Sequence, residues 1–204
     1  MSMICWLQGL SPAQIRALQT TPARASDLAI VSQSTLFDEV TKRMSPEQKA
    51  AFEKATKGAR ARIKEAQSRL AAIGPFEQAL SIEKSWHMLH YLFTGHVDAS
   101  DAPGNALLTG QALGGDAGYG PARLHDESRT RAFSDFLATQ DVARLQARMN
   151  VREMARLNLY SVPSAPDAQH ESDLRAEVGQ YFPLLRDYVG RMAAKKYGLL
   201  IWIS

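Results

Sequence analysis

Two short apolar runs lie near the two ends of the chain, at residues 3–7 and 199–203. Neither run alternates with polar residues, so each would carry apolar side chains on both sides of an extended backbone. Strands of this kind are typical of positions that are covered on both faces of a sheet. We therefore predict that the two runs pair with each other inside one sheet.

Residues 45–72 have the pattern of a long helix with a narrow apolar stripe. Ser45, Pro46 and Gln48 form a strong helix start, and Gly74 with Pro75 forms a stop. The stripe is mostly alanine and repeats every seven residues, at Phe52, Ala59, Ala66 and Ile73, flanked by Ile63 and Leu70. Such a stripe buries little area. We expect a protruding basic helix, a helical insertion at 45–75, whose removal leaves a folded protein.

Weaker helical periodicity between these segments predicts several more helices. They start after the caps Ser11, Asp126, Asp141, Asn150 and Asp173, with another short helix anchored by Leu36, Phe37 and Val40. Many helices combined with few strands indicate an α+β fold. The predicted architecture is a small mixed or antiparallel sheet that contains both terminal strands and is packed with several helices.

Residues 81–95 are predicted to form one helix with two different faces. An apolar stripe at the 4, 3, 4 spacing must be buried, and it consists of Ile82, Trp86, Leu89 and Phe93. A polar row repeats this spacing one residue later, at Glu83, His87, His90 and Thr94. One residue is a rotation of about 100° around a helix, so this row lies at the edge of the core. Gly95 is suited to end the helix.

The polar row supports two different hypotheses. In the enzymatic one, His87 and His90 are acid–base groups, Glu83 orients an imidazole, and Tyr119 or Arg123 holds an anionic substrate. A metal variant of it, with Glu83 and both histidines as ligands, is disfavoured because histidines three apart share a metal poorly. In the structural one, the imidazoles bind backbone or tyrosine groups at the edge of the core.

A glycine-rich segment at residues 114–123 follows this helix. The order of its glycines does not match a dinucleotide loop, so the favoured interpretation is a tight turn that leads into a short strand near residues 122–124. Tyr119 and Arg123 pair an aromatic face with a set of donors suited to an anion. We expect both to converge on one cleft with Glu83, His87 and His90, and Tyr91 on the preceding helix is the remaining ligand-binding candidate.

Composition and charge limit the class of protein. The chain has 204 residues and is 45% hydrophobic, which suits one domain. With Cys5 as its one cysteine and no leader pattern at its start, we expect a cytoplasmic location. The longest apolar run is too short for a membrane span, which needs about 18 residues.

The basic character of the chain is local. Residues 45–72 hold seven lysines and arginines against three glutamates, so the remainder of the chain carries a net charge of −1 out of a total of +3. A nucleic acid partner is therefore disfavoured. The positive charge is confined to one segment, and that segment has no aromatic residue besides Phe52 to stack on bases.

Several of these segments together resemble the YfbM-like family of bacterial proteins. The resemblance covers about residues 1–43 and 76–204 and rests on residues 1–4, 83–95 and 114–123, and on Tyr160 followed by Pro163. It implies a small α+β fold, with residues 45–72 as an insertion. The family has no assigned activity, so the resemblance implies no cofactor, metal or catalytic residue.

These observations favour a non-catalytic binding protein over an enzyme. The chain contains no nucleophile elbow, zinc signature or phosphate-binding loop. We expect it to recognise another macromolecule, most simply a protein, and neutralisation of a toxin is one form of this hypothesis. The alternative is an enzyme, such as a hydrolase, that binds a small molecule and uses His87 and His90 as acid–base groups.

Overall fold

The computed structural model describes residues 3–42, 44–102 and 104–204. Within this part of the chain, residue 33 and residues 35–39 are described by their backbone alone, so the predicted anchoring side chains of Leu36 and Phe37 lie outside the description.

The two ends of the chain meet in the middle of an antiparallel sheet. Its described strands, β1 (Cys5–Leu10), β2 (Leu80–Ser81), β3 (Gln111–Asp116), β4 (Pro121–His125) and β5 (Gly198–Ile203), are arranged in the order β2-β1-β5-β4-β3. Strands β1 and β5 pair over six residues, from Cys5 opposite Ile203 to Leu10 opposite Gly198. Every residue of both strands is buried. The predicted pairing of the terminal runs and the α+β fold class are confirmed.

The described residues form eight α-helices around this sheet: α1 (Pro12–Thr20), α2 (Arg24–Thr41), α3 (Pro46–Ala71), α4 (Trp86–Thr94), α5 (Glu127–Ala138), α6 (Val142–Ala147), α7 (Val151–Arg156) and α8 (Ala168–Ala194). The predicted caps Ser11, Ser45, Asp126, Asp141 and Asn150 all accept a hydrogen bond from a backbone N–H. The predicted start of the last helix at Asp173 is wrong. Asp167 caps this helix instead and forms a capping box with His170.

The sheet carries a hydrophobic core on each face. Leu7 and Ile201 lie in the main core, with side chains of α4, α5 and α8. Trp6 and Trp202 are opposite each other on β1 and β5, and their stacked rings, with centroids 6.4 Å apart, lie in the second core. Leu70, near the end of α3, also belongs to the second core. Both faces of the central strand pair are therefore covered, as their apolar sequences require.

Helix α3 is exposed along its first half and packed along its second. Ile63 and Leu70 are buried, and the guanidinium of Arg69 binds the carboxylate of Asp27 on α2 through Nη2–Oδ1 and Nε–Oδ2 contacts of 2.6 and 3.0 Å. This pairing with Arg69 holds the pKa of Asp27 below its usual value. Removal of residues 45–72 would uncover the part of the second core that Leu70 covers, and that the remainder still folds stays a prediction. The description of residues 45–75 as an insertion stays a prediction.

The proposed anchoring role of Val40 near the end of α2 is wrong, because its side chain is 44% exposed. Helix α2 is instead anchored through Leu28 and Ala29 in its first half, which are buried in the second core. The short helix predicted around residues 36–40 is part of the longer helix α2.

We predict that Leu70→Ala lowers the free energy of unfolding by about 2 to 5 kcal/mol, because it leaves a cavity in the second core. Leu184→Ala is the matched control, since Leu184 is 47% exposed, and its effect should stay within about 0.5 kcal/mol. Denaturant titration of both variants measures the difference. Equal effects would show that α3 does not contribute to this core.

Candidate functional site

The predicted helix over residues 81–95 is wrong in its first turn. Ser81 ends strand β2, Glu83 begins a 3-10 turn, and the α-helix α4 starts only at Trp86. Glu83 has a φ of 48°, and Ser81 Oγ donates to its carboxylate at 3.0 Å while accepting from its backbone N–H at 3.1 Å. Glu83 therefore does not lie one α-helical turn before His87, and the straight polar row is broken.

The apolar face and the end of this helix are confirmed. Gly95 has a φ of 75° and donates its N–H to the carbonyl of Tyr91. The four residues of the predicted stripe, Ile82, Trp86, Leu89 and Phe93, are all buried in the main core.

Trp86 is the centre of an aromatic cluster, here called the Trp86 cluster, which contains His87, Tyr119 and Tyr160. The distances from its ring centroid to theirs are 4.8, 6.4 and 6.0 Å. Its indole N–H donates to the carbonyl of Met3 at 3.2 Å, and the N–H of Met3 donates to the hydroxyl of Tyr160 at 2.8 Å. The cluster thereby ties α4 to the segment that enters β1.

Both ring nitrogens of His87 are engaged by the backbone. Nδ1 accepts from the N–H of Tyr160 at 2.8 Å, and Nε2 lies 3.0 Å from the carbonyl oxygen of Val97. Because a carbonyl oxygen only accepts, Nε2 must carry the proton and the ring is neutral. Burial lowers the pKa of His87, which favours this neutral form. His87 has no nitrogen left for acid–base chemistry.

His90 is fully buried and holds the same loop. Its Nε2 donates to the carbonyl of Asp98 at 3.0 Å, while its Nδ1 is sealed from solvent without a partner. Burial lowers the pKa of His90 as well. Thr94 adds a third contact, since its hydroxyl donates to the carbonyl of His90 and accepts from the N–H of His96. The three side chains fasten residues 96–98 to α4, in agreement with the structural hypothesis.

The remaining candidate residues have partners in different parts of the fold. Arg123 donates from Nε to the carbonyl of Leu108 at 2.7 Å, and Tyr91 is half-buried against the main core. Tyr119 is 58% exposed, and its N–H donates to the carbonyl of Ile203 at 2.9 Å. Of the six candidates, His87 and Tyr119 meet in the Trp86 cluster. The polar side-chain groups of Glu83, His90 and Arg123 are bound to separate segments.

The glycine-rich segment is a hairpin between β3 and β4, as the favoured interpretation predicted. The carboxylate of Asp116 accepts from the N–H groups of Gly118 and Gly120 at 2.8 and 3.0 Å. Gly118 has a φ of 132°, and a Cβ atom there would lie 2.7 Å from Cα of Ser204. The tip of the hairpin is therefore fixed against the end of β5, and it holds Tyr119 in place.

A cleft of about 460 Å³ was missed by sequence reasoning. It lies between α5, the end of β4 and the segments at residues 101–102 and 104–109, with His125, Arg129 and Phe136 among its lining residues. The signal available in the sequence was weak: His125 ends a short strand directly before the cap Asp126. The other walls come from a separate segment, whose position depends on tertiary packing.

The part of the chain that the structure describes, residues 3–42, 44–102 and 104–204, offers no cluster of metal ligands, since no three His, Cys, Asp or Glu side chains there come together in a way that could hold a metal ion. None of the helices in these ranges is long and apolar enough to span a membrane. Cys5 is a buried free thiol, and burial raises its pKa, so it stays protonated near neutral pH.

Comparison with known proteins identifies the family. The model of a family described as a domain of unknown function (DUF1877) matches residues 1–202. The chain belongs to this family. Its fold is similar to the crystal structure of YfbM, a protein of unknown function from Escherichia coli, with a TM-score of 0.59 and 16% identity over 99% of this chain and 100% of that one. No curated protein matches the chain. The resemblance to YfbM-like proteins is thus confirmed, and at this identity it shows the fold alone.

We predict that His90→Ala lowers the free energy of unfolding by about 2 to 4 kcal/mol, because it opens a cavity and leaves the carbonyl of Asp98 without its donor. His96→Ala is the matched control: its side chain is exposed, so the change should stay within about 0.5 kcal/mol. Denaturant titration measures both. Equal, small effects would contradict the fastening role of His90.

Stability should fall as the pH decreases below about 6.5, the ordinary pKa of histidine in an unfolded chain. Burial lowers the pKa values of His87, His90 and His125 in the folded state. The unfolded chain therefore takes up protons first, and folding loses free energy over this range. Glu177 opposes the trend, since burial raises its pKa above 4.5.

Free energies of unfolding measured at pH 7, 6 and 5 test this dependence. In His90→Gln the amide can still donate to the carbonyl of Asp98 but does not titrate, so its pH dependence should be weaker than that of the wild type. A stability that is constant or rises between pH 7 and pH 5 would contradict the neutral, buried state of these imidazoles.

Proposed function

We propose that this protein is a non-catalytic cytoplasmic binding protein whose partner is another protein. Neutralisation of a toxin is one form that such binding can take. The proposal is supported by the hydrogen bonds of the polar row. His87 and His90 donate from Nε2 to backbone carbonyls, and Nδ1 of His87 accepts from a backbone N–H. The enzymatic alternative relied on these imidazoles as free acid–base groups.

The observation that carries the proposal is the exposed, fixed ring of Tyr119. Its side chain is the most exposed of the large hydrophobic residues in the described part of the chain. Its backbone is held by the hairpin turn and by the bond to Ile203, and one side of the ring lies against Trp86. Tyrosine and tryptophan are enriched at the centres of protein interfaces, and a rigid anchor loses little entropy on binding.

The location of charge favours a protein over a nucleic acid as the partner. The excess positive charge is confined to residues 45–72, and this helix carries Phe52 as its one aromatic residue. Single strands of nucleic acid are bound by basic grooves with several stacked aromatic rings. The Trp86 cluster has the aromatic rings, but they lie on α4, on the β3–β4 hairpin and, for Tyr160, after α7, rather than on the basic helix.

We predict that Tyr119→Ala weakens binding to the cognate partner by about 30-fold or more, the loss typical of a central interface residue. A partner is first captured from an extract of the source organism and purified, and titration calorimetry then measures its affinity for each variant. Leu184→Ala serves as the control, because it removes a similarly exposed apolar side chain from α8.

The control should change the affinity by less than about twofold. Equal affinities of wild type, Tyr119→Ala and Leu184→Ala for the purified partner would contradict the assignment of Tyr119 as an anchor. Turnover of a substrate that is abolished in His87→Ala, with the fold intact, would contradict the non-catalytic assignment.

A further inference from the structure

The cleft between α5, β4 and residues 101–102 and 104–109 has the size and the lining of a small-molecule site. Its volume of about 460 Å³ lies within the range of about 300 to 1,000 Å³ that ligand sites occupy. Phe133 and Phe136 of α5 supply an apolar wall. Phe136 is held in place from two directions, by the edge of the Phe93 ring, with centroids 5.6 Å apart, and by the close approach of Gly104. The position of Phe136 in this wall is therefore well defined.

His125 supplies a buried hydrogen-bond acceptor that lacks a donor. Its side chain is 3% exposed, and its Nε2 lies 3.0 and 2.8 Å from the carbonyl oxygens of Ala106 and Thr109, so Nε2 carries the proton. Burial, with a smaller contribution from the charge of Arg129, lowers the pKa of His125 and keeps the ring neutral. Nδ1 is then an acceptor, and no described residue donates to it.

This unpaired nitrogen differs from the one on His90. Nδ1 of His90 is sealed from solvent, whereas His125 lines the cleft. An unpaired acceptor in a mostly buried side chain costs free energy unless a ligand or water supplies a donor. A ligand with an N–H or O–H group next to Nδ1 of His125 would therefore be favoured in this cleft.

Two opposite charges complete the cleft. Asp101 and Arg129 are both exposed lining residues, and neither forms an ion pair with another described residue. The other polar groups nearby are already satisfied, since Asn105 donates to the carbonyl of Ser100 and Thr109 donates to Asn105. One free carboxylate, one free guanidinium and one free acceptor remain beside an apolar wall.

We propose that this cleft binds a small zwitterion of the amino-acid type with an apolar side chain. Its ammonium group lies at Nδ1 of His125 and the carboxylate of Asp101, its carboxylate pairs with Arg129, and its side chain packs against Phe133 and Phe136. An ammonium supplies donors for both acceptors, and a guanidinium binds a carboxylate through two parallel hydrogen bonds. This inference is independent of the proposed interface at Tyr119.

Titration calorimetry of the full chain with L-leucine, L-methionine and L-phenylalanine tests the proposal. At least one of them should bind with a Kd below about 1 mM. The two single-charge analogues of leucine, 4-methylpentanoate and 3-methylbutylamine, should bind at least about tenfold more weakly, because each lacks one ionic partner.

Variants of the two charged residues locate the site. Arg129→Gln and Asp101→Asn should each weaken binding of the amino acid by about tenfold or more. Arg131→Gln is the matched control, since Arg131 is an exposed arginine on the same helix that does not line this cleft, and it should leave the affinity unchanged. Nitrogen-15 spectra of the histidine rings supply a second measurement, in which Nδ1 of His125 shifts on addition of the amino acid while His87 and His90 do not.

Three results would overturn the proposal. The first is the absence of saturable binding by all three amino acids. The second is an analogue that binds as tightly as leucine itself. The third is an effect of Arg129→Gln no larger than that of Arg131→Gln, with no change at His125 in the spectra.

Discussion

The antiparallel pairing of β1 with β5 is the interaction on which the rest of the structure depends. It joins Cys5 to Ile203 across almost the whole chain, and both strands carry buried apolar side chains on both sides. Such a pair is stable only between two layers of cover, because its side chains point alternately to opposite faces. Helices α4, α5 and α8 cover one face, while α1, α2 and the second half of α3 cover the other.

The elements that local chemistry determines could be predicted from the sequence. An uninterrupted apolar run identified each terminal strand, the capping box of Ser45 identified the start of α3, and Gly95 identified the end of α4. The start of α4 could not be predicted in this way. Ile82 fits the helical spacing, but Ser81 pairs with Trp6 in the sheet and binds Glu83, so the chain enters the helix through a 3-10 turn.

The candidate site shows why chemistry is harder to predict than fold. Sequence spacing placed His87 and His90 on neighbouring turns, but their roles depend on the carbonyls of residues 97 and 98 and, for His87, on the N–H of Tyr160. The spacing of polar and apolar residues along the sequence cannot predict these contacts, because they depend on tertiary packing. The cleft at His125 was missed for the same reason, because its lining joins residues 101–102 and 104–109 to α5. In this fold, His87 and His90 fasten a loop to α4, and the cleft with unpaired charges at Asp101 and Arg129 lies elsewhere.

Native-state hydrogen exchange tests the central role of the β1–β5 pair most directly. If the pair holds the two layers together, its backbone amides, such as those of Leu7 and Ile201, exchange only when the whole protein unfolds, with the free energy found by denaturant titration. The first half of α3 exchanges through local opening at a much lower free energy, because its residues are exposed. The account is contradicted if the amides of β1 and β5 exchange through local opening while α5 and α8 remain protected.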